Sequence, residues 1–365
     1  MLKDSLEGYG YFLRETLRRI TITYPQHEFI FLFDRPFDEQ FIFSTNVKGV
    51  VVGLPARHPL LWKLWYDIKI PAALKKYKAD VFVSTDGFCS LATKLPQCLV
   101  LHDLAFLHFP EYLSKSGSLY YKRYTPKFLK KAGVVATVSE FSKQDIIKQY
   151  GLAAEKIRII PYAARETFDP IDEEKKQLTR EKYSEGKNYF VYAGSIHPRK
   201  NLINLLKAFS VFKKKQKSNM KLLIVGRLAR KYNSFTESLK TYKYRDDVIV
   251  TGYLPESELV NVVGSAYAMV YPSLWEGFGV PVLEAMRCEI PVITSTNSAM
   301  QEIAGDAALF ADPNDFNEIA EKMMLLYKDE DLRHRLTKKG KLCEEKYSWD
   351  SSAQQLWACI EEAVG

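Results

Sequence analysis

Five cysteines are all that this chain of 365 residues carries, and none is placed to work with another. Cys89, Cys98, Cys288, Cys343 and Cys359 form no C-x-x-C pair and follow no metal spacing. A disulfide framework and a zinc site are therefore not encoded, and a reducing cytoplasm is the expected setting. The six histidines are scattered, and no acidic pair reads as a metal motif. No apolar run reaches the ~18 residues of a membrane span, and no secretory leader is read at the start. Internal repeats and low-complexity segments are missing too. So is an opening strand: MLKDSLE runs straight into Gly8-Tyr9-Gly10, whereas a dinucleotide-type fold normally feeds such a glycine turn from an apolar strand.

What remains is a globular composition, 47% hydrophobic and 26% charged, on a chain long enough for two full cores. The charge is lopsided. Residues 1–170 hold 24 Lys+Arg against 17 Asp+Glu, a balance of +7 within the +8 of the whole. A basic first half suits a surface that meets something anionic, such as phospholipid headgroups or a polyprenyl-phosphate carrier. An ordinary solvated surface is the alternative.

After the glycine turn, Phe12, Leu13, Leu17 and Ile20 share one face of an amphipathic helix. Short apolar runs follow at 28–33, 49–52, 80–84, 98–102, 134–138 and 156–161, alternating with helical patterns. That alternation implies a doubly wound parallel sheet, with Ser139 or Ser142 capping the helix after the fifth run. The stretch from His58 to Asp80 sets Trp62, Trp65, Tyr66 and Ile68 among lysines. It reads either as a helix lying on a membrane or as a crossover helix whose aromatics fill a core, and helical stripes more often serve packing. Residues 171–186 are charged, poor in apolar side chains, and read as a connection.

A second series of strands opens at Tyr189–Ala193. Arg199 and Lys200 follow at a helix start, where a guanidinium fork and an ammonium suit a diphosphate. The densest pattern is Tyr271–Val292. Pro272 stops a strand, Gly277 and Gly279 permit a tight turn, and Pro281 suits the first turn of a helix. The amides of Phe278, Gly279 and Val280 would then form an anion site. Glu276 and Glu284 flank it, and two carboxylates beside a phosphate cradle are better suited to hydroxyls, Glu284 to a ribose and Glu276 to a sugar. Lys200 and Glu276 would thus act on different parts of one ligand, separable by single substitutions.

Glu276-Gly-Phe-Gly-Val-Pro-Val-Leu-Glu284 resembles the Glu-x7-Glu signature of the retaining glycosyltransferases of family 4, and VLHDLAFLHFPEYL with VSEFSKQDI resembles their first domain. The resemblance implies the GT-B fold: two Rossmann-like domains facing across a cleft, here 1–170 on the acceptor side and 171–345 on the donor side. Residues 346–365 would cross back onto the first domain. The resemblance implies an opening strand ahead of Gly8, and the residues MLKDSLE do not read as one. The resemblance implies that His102 lies near the donor sugar, Asp103 near sugar or acceptor, and Gly8 and Gly10 near the diphosphate. Tyr253 and Leu254 would hold the base through their backbone, with Gly194, Ser195, Gly226 and Ser273 completing the donor contacts. Many members carry an arginine where this chain has Ser195, and Arg199 takes up part of that role.

The implied activity is metal-independent transfer from a nucleotide-diphosphate sugar to a glycan or lipid-linked acceptor, as in cell-surface polysaccharide synthesis, with no other cofactor and no nucleic acid. Peripheral contact with the cytoplasmic face of a membrane through the basic half is part of this reading. GSIHPRKNL resembles mannosyltransferase members and points to GDP-mannose. A nucleotide-sugar epimerase of the same fold, or a silent nucleotide-sugar-binding protein, are the alternatives.

Overall fold

The computed structural model describes residues 8–53, 55–56, 58–229 and 233–365. The expectation about an opening strand concerns residues 1–7 and lies outside them. Every strand pairing among the described residues is parallel. Such strands are covered on both faces and read as continuous apolar runs. The chain divides into two compact units, Met1–Tyr162 with Ser348–Gly365, and Ala163–Tyr347.

In the first unit β1 (Phe29–Phe33) pairs with β2 (Val47–Val51). Strands β3 (Phe82–Ser84), β4 (Gln97–Val100), β5 (Val134–Thr137) and β6 (Ile157–Ile159) form a separate sheet in chain order. One doubly wound sheet was expected for this half; two pieces are observed among the described residues. Ser139 caps the helix Glu140–Tyr150, its Oγ accepting from the Ser142 amide at 3.1 Å. The aromatic stretch near Trp62 fills the core, with Trp65, Tyr66, Ile70 and Leu74 packed against Phe88, Leu99 and Phe128. Ile68 is the exception and faces outward.

The glycine turn at Gly8–Gly10 is not observed. Both residues lie in the first turn of the helix Gly8–Thr23. A helical glycine costs about 1 kcal/mol relative to alanine, and the buried face of Phe12, Thr16 and Ile20 offsets that. The closing helix Trp349–Val364 packs on the same unit. Trp349 meets Phe12 edge-on, Trp357 stacks on Tyr24 at 4.0 Å, and Ser352 Oγ donates to the Pro161 carbonyl at 2.6 Å.

The second unit is one six-stranded sheet of β7 (Tyr189–Ala193), β8 (Lys221–Val225), β9 (Val248–Gly252), β10 (Ala268–Tyr271), β11 (Val292–Ser295) and β12 (Ala308–Ala311). Their order is β12-β11-β10-β7-β8-β9. The winding reverses beside β7, and in such sheets ligands bind beyond the carboxyl ends at that reversal. The charged segment read as a connection is instead a helix, Glu173–Ser184, within this unit. Its inward positions are Thr179 and Ser184, whose hydroxyls bond back to the carbonyls of Lys175 and Arg180. A helix can therefore pack here with almost no apolar residues on display.

Candidate active site

The loops after β7 and β10 meet at the reversal. At the end of β8 stands Gly226, where a Cβ would lie 1.7 Å from the Gly194 carbonyl oxygen. Two backbones cross at that point and only hydrogen fits between them. After β7 and Gly194 the chain makes a short turn, Pro198–Lys200, and enters the helix Leu202–Gln216. Asn201 ties this loop to its neighbour, donating to the Pro272 carbonyl at 3.0 Å and the Pro313 carbonyl at 2.6 Å. The Arg199 carbonyl accepts from the Leu274 amide at 2.8 Å. Lys200 is thereby set against the β10 loop.

There it donates to Glu276 Oε1 and, at 2.7 Å, to the Tyr271 hydroxyl. Tyr271 in turn donates to the same carboxylate oxygen at 3.1 Å, and Ser273 Oγ does so at 2.6 Å. Arg199 lies 3.5 Å from Glu276 Oε2 and donates to the Trp275 carbonyl. Lys200, Tyr271, Ser273 and Glu276 are all buried. Burial alone would push the Glu276 carboxyl up; Lys200 and Arg199 overcome this and hold its pKa at about 2. Lys200 and Glu276 are bonded to each other, so changing either disturbs both, and the expectation that single substitutions separate their roles is revised.

Past Glu276, Gly277 and Phe278 are buried, and Phe278 meets Tyr347 edge-on at 5.5 Å. Gly279 has φ +105° and immediately precedes the helix Val280–Arg287, with Pro281 in its first turn. A Cβ at Gly279 would sit 2.2 Å from Met300 Cε. The positive φ is what favours glycine at this turn, since the Met300 terminus is the far end of a flexible side chain. One helical turn on, Glu284 is buried and accepts from Arg165 Nε at 2.5 Å. Tyr253 is exposed with the Arg227 guanidinium 4.2 Å above its ring, and Leu254 is half-buried beside it. Ser195 is exposed, and its carbonyl accepts from Tyr192.

His102 and Asp103 belong to the first unit. The His102 ring is buried, stacked by Tyr9 at 4.4 Å and met edge-on by Phe12. Its Nε2 lies 3.1 Å from the Thr85 carbonyl, which can only accept, so Nε2 carries the proton and Nδ1 receives the Tyr162 hydroxyl at 2.8 Å. Burial holds its pKa down at about 4. Both nitrogens are engaged in a neutral ring. Asp103 Oδ1 accepts from the Ala105 amide at 2.9 Å and so fixes the following turn. Gly8 and Gly10 lie in the first turn of the helix Gly8–Thr23 of the same unit.

The one Asp-x-Asp in the chain, Asp329-Glu-Asp331, starts the helix Glu330–Glu344, where Asp329 caps the Leu332 amide at 2.7 Å.

Residues 173–342 match the family model for glycosyl transferases group 1, and residues 26–164 match that for glycosyltransferase family 4. Together the two matches span most of the chain, which is a glycosyltransferase. It is 26% identical over 97% of its length to the O-antigen chain mannosyltransferase B of Escherichia coli, covering 96% of that protein. It is 28% identical to the O-antigen chain mannosyltransferase RfbU of Salmonella typhimurium, over 70% of this chain and 68% of that one. Among solved structures, WaaG, a glycosyltransferase of lipopolysaccharide biosynthesis, superposes with a TM-score of 0.76 at 16% identity, covering 98% of this chain and 96% of that one. Sucrose-phosphate synthase from Thermosynechococcus elongatus gives 0.78 at 18%, over 96% and 92%. The fold of this glycosyltransferase is thus GT-B.

Of the residues singled out in the sequence, Arg199, Lys200, Ser273 and Glu276 come together as one bonded cluster. Tyr271, Asn201 and Arg165 went unnoticed. Tyr271 carried a usable signal, a phenol at the carboxyl end of a buried strand, because a buried tyrosine hydroxyl needs a partner. Arg165 carried none: its partners are 91 and 119 residues away in the chain.

Proposed function

We propose that this glycosyltransferase moves mannose from GDP-mannose, with retained anomeric configuration, onto a glycan or lipid-linked acceptor of a cell-surface polysaccharide. The observation that carries this reading is the Lys200–Glu276 pair at the strand reversal, with a glycine-opened helix on one side and Glu284 one turn further. In this reading the diphosphate takes the helix end and Arg199, the ribose takes Glu284, and the sugar hydroxyls take Glu276. The bond that breaks joins the anomeric carbon to the diphosphate, and negative charge grows on the departing oxygen. Lys200 and Arg199 are the cations that answer that charge, in a buried setting that makes each worth more than in water. The mannosyltransferase relatives support the choice of donor. Thermal-shift titration against GDP-, UDP- and ADP-sugars tests it: GDP-mannose should stabilise the protein most, and a larger shift with a UDP- or ADP-sugar would replace it.

The acceptor side includes a membrane surface. Among the described residues no helix is long and apolar enough to cross a membrane, but one face suits lying on it. The segments Pro59–Leu64, Trp65–Lys69 and Ile70–Lys76 bury Trp65 and Tyr66 while Leu60 stays 70% exposed, Leu64 42% and Ile68 58%, spaced four apart among Lys63, Lys69, Lys75 and Lys76. The neighbouring helix Lys115–Lys131 has six cations and no acid, and Lys63 and Lys127 both lie over the Tyr124 ring, at 5.5 and 5.3 Å. Apolar residues framed by cations are the composition that binds anionic bilayers from one side, here the cytoplasmic face. Sedimentation with vesicles of phosphatidylcholine, with and without phosphatidylglycerol, should show binding only to the anionic ones. The triple substitution L60S/L64S/I68S should abolish it; unchanged binding would remove this face from the account.

A further inference from the structure

Glu284 does not stand alone on its helix. The Arg165 guanidinium donates through Nε to Glu284 Oε1 at 2.5 Å and through Nη1 to Glu256 Oε2 at 2.9 Å. Glu256 opens the helix Glu256–Gly264 that follows the turn after β9. Its other oxygen receives the Thr167 hydroxyl at 2.8 Å. The guanidinium lies 4.4 Å over the ring of Phe168, which is fully buried. It is thus fixed on a face and at two edges. All five residues belong to the second unit.

We propose that Arg165 is the positioning residue that aims the Glu284 carboxylate at the nucleotide ribose, so that discrimination between a ribose and a deoxyribose passes through this ion pair. The inference rests on the reading of Glu284 as the ribose acceptor. A free glutamate side chain has three rotatable bonds, and ordering them on binding would cost affinity. A carboxylate offers about four lone-pair directions, so one guanidinium N–H orients the group and leaves directions for hydroxyls. Glu256 keeps the guanidinium from swinging away when a ligand competes for Glu284. The planar fork matters: an ammonium would supply the charge without holding two carboxylates at a fixed angle.

The bland account of the same contacts is a buttress that holds the second unit together. The two accounts differ in what happens to a nucleotide lacking the sugar hydroxyls. The experiment is calorimetric titration of the full chain with GDP and with 2′,3′-dideoxy-GDP, repeated with the UDP and ADP pairs so that the base does not decide the outcome. Wild type, Glu284→Gln, Arg165→Gln and Arg165→Lys are compared, with thermal unfolding recorded for each. Wild type should prefer the ribonucleotide, and Arg165→Gln should weaken the ribonucleotide about tenfold while leaving the dideoxynucleotide within about twofold. Arg165→Lys should recover part of the preference.

If Arg165→Gln weakens both nucleotides alike, or neither, the positioning role is wrong. If Arg165→Gln does not fold, Arg165→Lys decides: a full wild-type preference overturns the proposal, because the fork would then be dispensable. A preference lost in Glu284→Gln but kept in both Arg165 variants sinks this inference alone. No preference in the wild type, or one that survives in Glu284→Gln, sinks the ribose reading and this inference with it.

Discussion

Lys200 and Glu276 form one buried ion pair, although 76 residues separate them, and the Tyr271 and Ser273 hydroxyls close on the same carboxylate oxygen. The carboxylate that would meet a donor sugar is thus held by three side chains of the protein itself.

Removing one partner of such a pair strands the other charge, at a cost of about 3–5 kcal/mol. Lys200→Met should be the worse change, since Glu276 would then remain buried beside Arg199 alone, and Glu276→Gln the milder one. The double variant should be less destabilised than the sum of the two, by about 0.5–3 kcal/mol. Chemical denaturation of the four proteins measures this; simple additivity would mean the pair contributes nothing as a pair.

The pair also predicts an acid response. Glu276 is held at about 2, below its ordinary value of 4.5. A depressed carboxyl pKa contributes stability above the unfolded value, and that stability is lost as pH falls through the window between 4.5 and 2. Glu276→Gln should flatten the stability–pH curve in that window and lie below the wild-type curve by a constant amount above pH about 6. An unaltered curve would contradict the ion pair.

His102 gives the opposite group but the same sense. Its pKa is lowered from 6.5 to about 4 by burial, so the unfolded chain binds the proton more readily between those values. Stability from the neutral ring is complete above 6.5 and falls as the solution is acidified toward 4, by on the order of 3 kcal/mol. NMR titration of the ring should show no protonation near pH 6.5; a normal titration there would mean the ring is not buried between Thr85 and Tyr162.

Gly226→Ala sets a backbone test. The new Cβ would fall 1.7 Å from the Gly194 carbonyl oxygen, and no side-chain movement relieves a clash with main chain. A loss of more than about 4 kcal/mol, or failure to fold, is expected. Gly252→Ala is the control: its φ is +71° but no atom lies within 4 Å of the added carbon, so the cost should be the ~1–3 kcal/mol of backbone strain alone. Equal costs would mean the crossing at Gly194 is not tight.

If leaving-group charge is met by Lys200, Arg199 and helix amides, EDTA should leave turnover intact. Complete loss of activity in chelator, restored by magnesium or manganese, would contradict that assignment.

The parts of this molecule legible in the sequence were those where local chemistry and tertiary role coincide. Tyr189–Ala193 and Lys221–Val225 are buried end to end, and apolar runs announce such strands. Glu276, Gly279 and Glu284 lie within nine residues, so their spacing carries the site directly. The helix Glu173–Ser184 escaped because its inward residues are hydroxyls bonded to their own backbone. The helical Gly8 and Gly10 escaped because glycine permits a turn without requiring one. Arg165 was beyond reach for a different reason: only the folded sheet brings it beside Glu256 and Glu284.

Transfer with retention from GDP-mannose at the Lys200–Glu276 site can be observed directly. The most direct measurement is NMR of the purified protein with GDP-mannose and an extract of lipid-linked glycans, following the anomeric proton and the released GDP. An α-mannosyl product, released GDP in equal amount, and loss of both in Glu276→Gln at matched folding are expected. A β-linked product, an epimerised donor, or GDP-mannose bound without turnover would contradict it.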